Sequence, residues 1–306
     1  MYVAVRDMTL RQAGYATLLE GLRDLELDAI ELALGRDLSL PMPGKVLDEP
    51  RLRLVEDASL TTLRHAYAQE GIHISGLLLA NNFHAVDLEA EIEWVAAGIR
   101  LGAALGVDAV RIDAVMTGQQ ELSLTERAGI YAKAVLKVLQ RVPDTQVPLG
   151  IENHGYQGND PQWLQRVLDA VASPRVGLTL DTANFYWAGM PLQQVYTMAE
   201  HFAPYVKHVH CKNLSFEPER REVSRQPGWG YGEHVCPIPD GDVDHRRLAR
   251  LLWEAGYSGG LNIEDESLGK FLGHNRRGQL RRDADHLAEI AQAYGGSRLY
   301  RGPCRG

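Results

Sequence analysis

Four apolar runs in the second half of the chain each end in a side chain able to bind a metal or move a proton. They read VPLGIENHG (147–155), VGLTLDTANF (176–185), VKHVHCKNL (206–214) and GGLNIEDES (259–267), and the residues they present are Glu152, Asp181, His210 and Glu264. Residues two apart on a strand share a face, so Glu152 goes with His154, His208 with His210, and Glu264 with Glu266. A polar group at the end of a doubly covered strand is costly to bury unless it is paired or metal-bound. Three carboxylates and one imidazole make an oxygen-rich shell suited to Mn²⁺, Mg²⁺ or Co²⁺, with Zn²⁺ also feasible. The bland alternative is a set of ion pairs, for example Glu152 with Lys212.

Other residues stand where they would touch a substrate. An imidazole at His154, titrating near neutrality, suits proton transfer at a carbon next to a carbonyl; otherwise it holds Glu152. Lys212 would polarise a carbonyl or pair with a carboxylate. The Asn184 amide would orient a hydroxyl, and Asn82 and His208 are further candidates for substrate contact, although a packed His208 explains that position as well. Glu31, Arg111 and Asp113 end earlier strands, and an ion pair between Arg111 and a carboxylate accounts for part of that group. The stretch 215–242 carries Arg220, Arg221, Arg225, Trp229, Tyr231 and His234. It reads either as a lid, with a ring on a sugar and an arginine on a phosphate, or as a solvated loop or subunit contact. Arg276, Arg277, Arg281 and Arg282 are most simply a solvated helix start.

The elements that must position these residues alternate regularly. Strands are expected over 2–5, 27–34, 71–82, 107–115 and the four runs above. Helices are expected over 10–25, 52–69, 87–105, 125–142, 161–172, 191–202, 243–255 and 280–294, followed by an irregular tail at 295–306. Alternation implies parallel strands joined by helical crossovers, and eight such units close into a (β/α)8 TIM barrel, read here as a single domain over 1–306. An open doubly wound sheet is disfavoured because no Gly-rich phosphate fingerprint follows the first strand.

Composition narrows the function classes. A net charge of −8 argues against generic binding of nucleic acid or of an anionic membrane. Cys211, Cys236 and Cys304 are odd in number and widely spaced, which speaks against a disulfide framework and for a reducing, cytoplasmic setting. No apolar run approaches the ~18 residues of a membrane span.

The four motifs, together with PDGDVDHRRLARLLWEAGYSGGLNIEDE (239–266), resemble the sugar isomerase and epimerase superfamily with the xylose-isomerase-like barrel. That superfamily also includes inosose dehydratase, ketose 3-epimerases and the endonuclease IV group. The resemblance implies one divalent ion, with Mn²⁺ the first choice, held by Glu152, Asp181, His210 and Glu264. It implies that the two glutamates act as acid and base on a ketose through an enediolate. It also implies a small-molecule sugar substrate, with room for a homo-oligomer or a partner subunit. Many members carry a His where DTAN places Asn184; an amide is a poor metal ligand, which speaks against a second or third metal and, together with the acidic net charge, against the DNA-repair branch. Two other outcomes remain: a lyase on a keto-sugar or keto-inositol, of the dehydratase or C-glycoside deglycosidase type, with His154 as base; and a sugar-binding subunit without catalysis.

Overall fold

Eight short apolar strands alternate with amphipathic helices, and strands covered on both faces can satisfy their backbone only by pairing with one another. The computed structural model describes residues 1–301; Cys304 and the end of the expected tail lie outside them. The strands are β1 (Tyr2–Arg6), β2 (Ala29–Ala33), β3 (His73–Leu79), β4 (Ala109–Ile112), β5 (Leu149–Glu152), β6 (Val176–Asp181), β7 (Val206–Cys211) and β8 (Gly260–Ile263). All pair in parallel, in the order β1-β8-β7-β6-β5-β4-β3-β2, and β2 pairs with β1 to close the barrel.

The crossovers are α1 (Leu18–Leu25), α2 (Asp57–Gln69), α3 (Leu88–Leu105), α4 (Leu124–Arg141), α5 (Pro161–Val171), α6 (Leu192–Phe202) and α7 (His245–Glu254), with α8 (Gly273–Ala293) closing the ring. Local chemistry sets their ends. Asp87 caps α3 by accepting from the Ala90 N–H at 3.0 Å, and Gly106 ends it in the left-handed region at φ 71°. Ser123 and Glu126 form a reciprocal capping box on α4, while Asp160 caps α5 with Pro161 at its first position. Among the described residues no helix is long and apolar enough to cross a membrane.

Three expected boundaries move. The helix expected over 10–25 is two helices, Asp7–Gln12 and α1, because Gly14 turns at φ 84° and Thr17 caps a fresh start. The segment 52–69 begins as a small hairpin, Leu52–Arg53 on Ser39–Leu40, before α2. The last helix starts at Gly273 rather than at 280, its first turns tied down by Arg276 and Arg277 to the carbonyls of Gln12 and Gly14.

Candidate metal centre

The C-terminal ends of β5 to β8 deliver Glu152, Asp181, His210 and Glu264 to one point, where one ligating atom from each lies within 4.8 Å of the others. All four are buried. Asp181 Oδ2, His210 Nδ1 and Glu264 Oε2 have no hydrogen-bond partner. His210 Nδ1 lies 2.9 Å from Glu264 Oε2 and 3.6 Å from Glu152 Oε1. Buried, converging oxygen and nitrogen atoms, three of them without a hydrogen bond among the described residues, are what a divalent cation would satisfy together, so the donor set fits such an ion.

The other side of each ligand is tied down. Asp181 Oδ1 accepts from the backbone N–H groups of Ala183 and Asn184 at 2.9 and 2.8 Å, which leaves Oδ2 turned inward. Asn153 holds the β6 backbone at Asp181 through both ends of its amide, at 2.7 and 3.1 Å. Glu152 Oε2 accepts from Arg111 Nε, and Glu152 Oε1 takes the Asn184 amide at 3.2 Å. Arg6, at the end of β1, contacts Glu264 and lies 3.5 Å from Glu31 Oε2. The four candidate ligands therefore come from β5 to β8, and these charged neighbours from β1, β2 and β4.

Electrostatics follow from that arrangement. Burial would raise the Glu152 carboxyl, but Arg111 and His210 hold it well below the usual range. Burial pushes Asp181 up, and Lys212 at 3.4 Å only partly offsets it. Burial would lower His210, yet Glu31 and Glu152 carry it to about 9 when no cation is present.

The remaining candidates separate. His154 is half-exposed at the mouth, with Nδ1 3.0 Å from Asp113 Oδ1; despite partial burial that carboxylate raises its pKa. Lys212 bridges Asp181 and Glu266, the latter at 3.3 Å, while Glu152 is paired with Arg111 and not with Lys212, the partner given as an example in the ion-pair alternative. His208 is buried with Nε2 on Glu31 at 2.8 Å. Asn82 joins two loops, its amide donating to Thr117 Oγ1 at 2.7 Å and accepting from the Thr117 and His84 N–H groups. His208 lies beside the quartet, its ring 5.3 Å from that of His210, whereas the contacts of Asn82 are with loop residues.

The 215–242 stretch is a packed cap. Arg225 lies over the rings of Tyr186 and Phe216 and donates to four backbone carbonyls, while Arg221 pairs with buried Asp242 at 3.0 Å. In this structure these two arginines hold the cap together. Tyr231 reaches the mouth and donates to Glu266. Arg6 is absent from the sequence-based candidates, although a lone cation ending the apolar run YVAV obeys the rule that found the ligands.

The chain matches the family described as xylose isomerase-like TIM barrel over residues 19–290. It is 30% identical over 95 residues to an inosose dehydratase of Serratia proteamaculans, a match spanning 30% of this chain and 32% of that protein. Among solved structures it resembles a xylose isomerase-like TIM-barrel protein from Mycobacterium smegmatis in complex with magnesium, with 20% identity and a TM-score of 0.66 over 93% of this chain and 87% of that one. An L-ribulose 3-epimerase superposes with 15% identity and a TM-score of 0.66 over 96% of each chain.

Proposed function

Because the chain belongs to the xylose isomerase-like TIM-barrel family, we propose that it is a divalent-metal-dependent isomerase or epimerase moving a proton on a ketose or other keto-sugar through an enediolate. The observation that carries this reading is the quartet itself: four buried ligating atoms converging within 4.8 Å, three of them without a hydrogen-bond partner, beside a half-exposed histidine. Glu152, Asp181, His210 and Glu264 would hold the ion, Mn²⁺ by preference on an oxygen-rich shell. Bound there, a divalent cation polarises a carbonyl and stabilises negative charge developing on its oxygen.

The chain's own groups do the rest. Glu152 and Glu264 lie on opposite sides of His210 in strand order, β5 and β8 flanking β6 and β7, so the two carboxylates reach the site from separate strands. Arg111 contacts Glu152 and holds its carboxyl well below the usual range, and Arg6 contacts Glu264, so each glutamate has its own counter-charge. Asn184, already donating to Glu152, has its amide where it would orient a hydroxyl beside that glutamate. Lys212 places an ammonium next to Asp181, where it supports negative charge on the substrate. The widely spaced cysteines support a cytoplasmic setting.

A second reading has its own observation. Asp113 engages Nδ1 of His154, which leaves Nε2 as the free nitrogen, and a base of that kind beside the ion serves a lyase on a keto-sugar or keto-inositol. The partial match to an inosose dehydratase supports the same branch.

One experiment tests both readings. Metal-loaded protein is incubated in D₂O with a panel of ketoses and keto-inositols, and recovered material is followed by mass and NMR. Deuterium at a carbon next to the carbonyl in an intact skeleton supports the isomerase or epimerase. An unsaturated or shortened product moves the assignment to lyase, and binding without exchange overturns both. His154→Gln should slow the lyase outcome by about 10²- to 10⁴-fold, the usual scale for a positioned acid or base.

A further inference from the structure

His208 and His210 share a face of β7, and both turn Nε2 toward the same atom, Glu31 Oε1, at 2.8 and 2.9 Å. The three side chains are at most 2% exposed. Glu31 comes from β2, on the far side of the barrel from β7, and reaches the imidazoles because Gly76 on β3 leaves the space. A Cβ at that position would sit 2.9 Å from His208 Cε1. The rings meet edge to face, 5.3 Å apart at 78°, so one carboxylate oxygen receives two donors from different directions. This oxygen is therefore saturated by imidazole N–H groups.

A second cation at these three residues fits poorly. Arg6 Nε stands 3.5 Å from Glu31 Oε2 and already supplies the positive charge there. The geometry instead fixes which nitrogen of His210 carries a proton. A neutral imidazole that donates from Nε2 presents its lone pair at Nδ1, and Nδ1 is the atom that faces Glu264 Oε2 at 2.9 Å and Glu152 Oε1 at 3.6 Å.

We infer that Glu31 is the positioning residue of the metal centre: it locks His210 in the Nε2–H tautomer so that Nδ1 is the ligand, and His208 is the second donor that keeps the Glu31 oxygen in line. The inference rests on the four-ligand reading given above. A carboxylate behind a ligating imidazole fixes its ring and raises its basicity, and loss of such a partner costs about 10- to 100-fold in metal affinity.

The test uses the full chain and the metal alone. Apo protein is titrated with Mn²⁺ and Zn²⁺ against a competing chelator, wild type beside Glu31→Gln and His208→Gln, with Tm recorded for each. Glu31→Gln is expected to keep one site per chain and lose about 10- to 100-fold in affinity, with a smaller loss for His208→Gln. Wild-type affinity in folded Glu31→Gln overturns the positioning role while leaving the four-ligand reading intact. A wild type that takes up no metal removes that reading instead. If Glu31→Gln does not fold, ¹⁵N-histidine NMR of zinc-loaded wild type decides: a proton on His210 Nε2 with the metal on Nδ1 is expected, and the reverse overturns the proposal.

Discussion

The two ends of the barrel both bury polar side chains, and they treat them oppositely. At the base, Tyr2 donates to Asp108, which His73 also meets at 3.0 Å. Ser75 donates to Asn262 Oδ1 at 2.6 Å, and the Asn262 amide donates to the carbonyls of Val209 and Gly260. At the mouth, Asp181, His210 and Glu264 each keep an atom without a hydrogen bond. The base also borders a cavity of about 780 Å³, lined by Tyr2, Asp108, Lys207 and Tyr300 among others. Unmet bonding capacity, rather than room, therefore marks the end where a ligand belongs.

Mutations at the two ends should separate the roles. The largest effect is expected from Asp181→Asn, which keeps an acceptor for the Ala183 and Asn184 N–H groups but removes a charged ligand. Metal analysis after gel filtration should find the ion gone, while the metal-free Tm holds or rises because crowded carboxylates repel one another. A variant that retains metal, or that unfolds like a base mutant, would break the contrast. At the base, Asn262→Ala strands the Ser75 hydroxyl and the Val209 carbonyl. It should cost about 2–3 kcal/mol in urea unfolding and leave metal affinity unchanged.

The smallest effect probes a boundary case. Asp265 and Asp283 are buried against each other below the mouth, and each has an unpartnered Oδ2. Burial and then Asp265 raise the Asp283 carboxyl well above 3.8, so the pair is best satisfied by a shared proton rather than by an ion. A raised folded-state pKa means that the native state holds this proton more tightly than the unfolded chain. Its stabilisation is complete below about pH 4 and is lost as pH rises through the raised value. Asp283→Asn preserves the acceptor for the Ile238 N–H, at 2.9 Å in the wild type, and supplies a permanent donor to Asp265. Thermal melts should show the variant gaining on the wild type by about 1 kcal/mol as pH rises from 4 to 8. An equal difference at both ends of that range would mean that the pair shares no proton.

Much of this was legible in the sequence, for a physical reason. Strands covered on both faces are nearly all apolar, so a carboxylate or imidazole at the end of one stands out, and Glu152, Asp181, His210 and Glu264 were found that way. Helix boundaries slipped where apolar spacing ran on through a break: Leu18, Leu19 and Leu22 continue the periodicity of Leu10 past a turn that only Gly14 and Thr17 betray. The supports were harder to see. Glu31 meets His208 and His210 across 177 and 179 residues, and no local pattern encodes that meeting. The packing partners of Asn82 and Arg225 were hidden for a related reason. A polar residue near a strand end serves loop packing as readily as substrate, and only the partners tell which.

The division of labour around the mouth has a consequence for taking the molecule apart. Every proposed ligand lies at or after Glu152, while Arg6, Glu31 and Arg111 all precede it. Cleavage in the turn between Arg141 and Leu149 would produce one fragment carrying the whole donor set, with Lys212 still beside Asp181 but Glu152 and Glu264 parted from Arg111 and Arg6. The other fragment would carry the counter-charges and nothing to bind. Metal uptake would then report complementation of the two pieces, since only the reunited halves present both the donors and the groups that hold them.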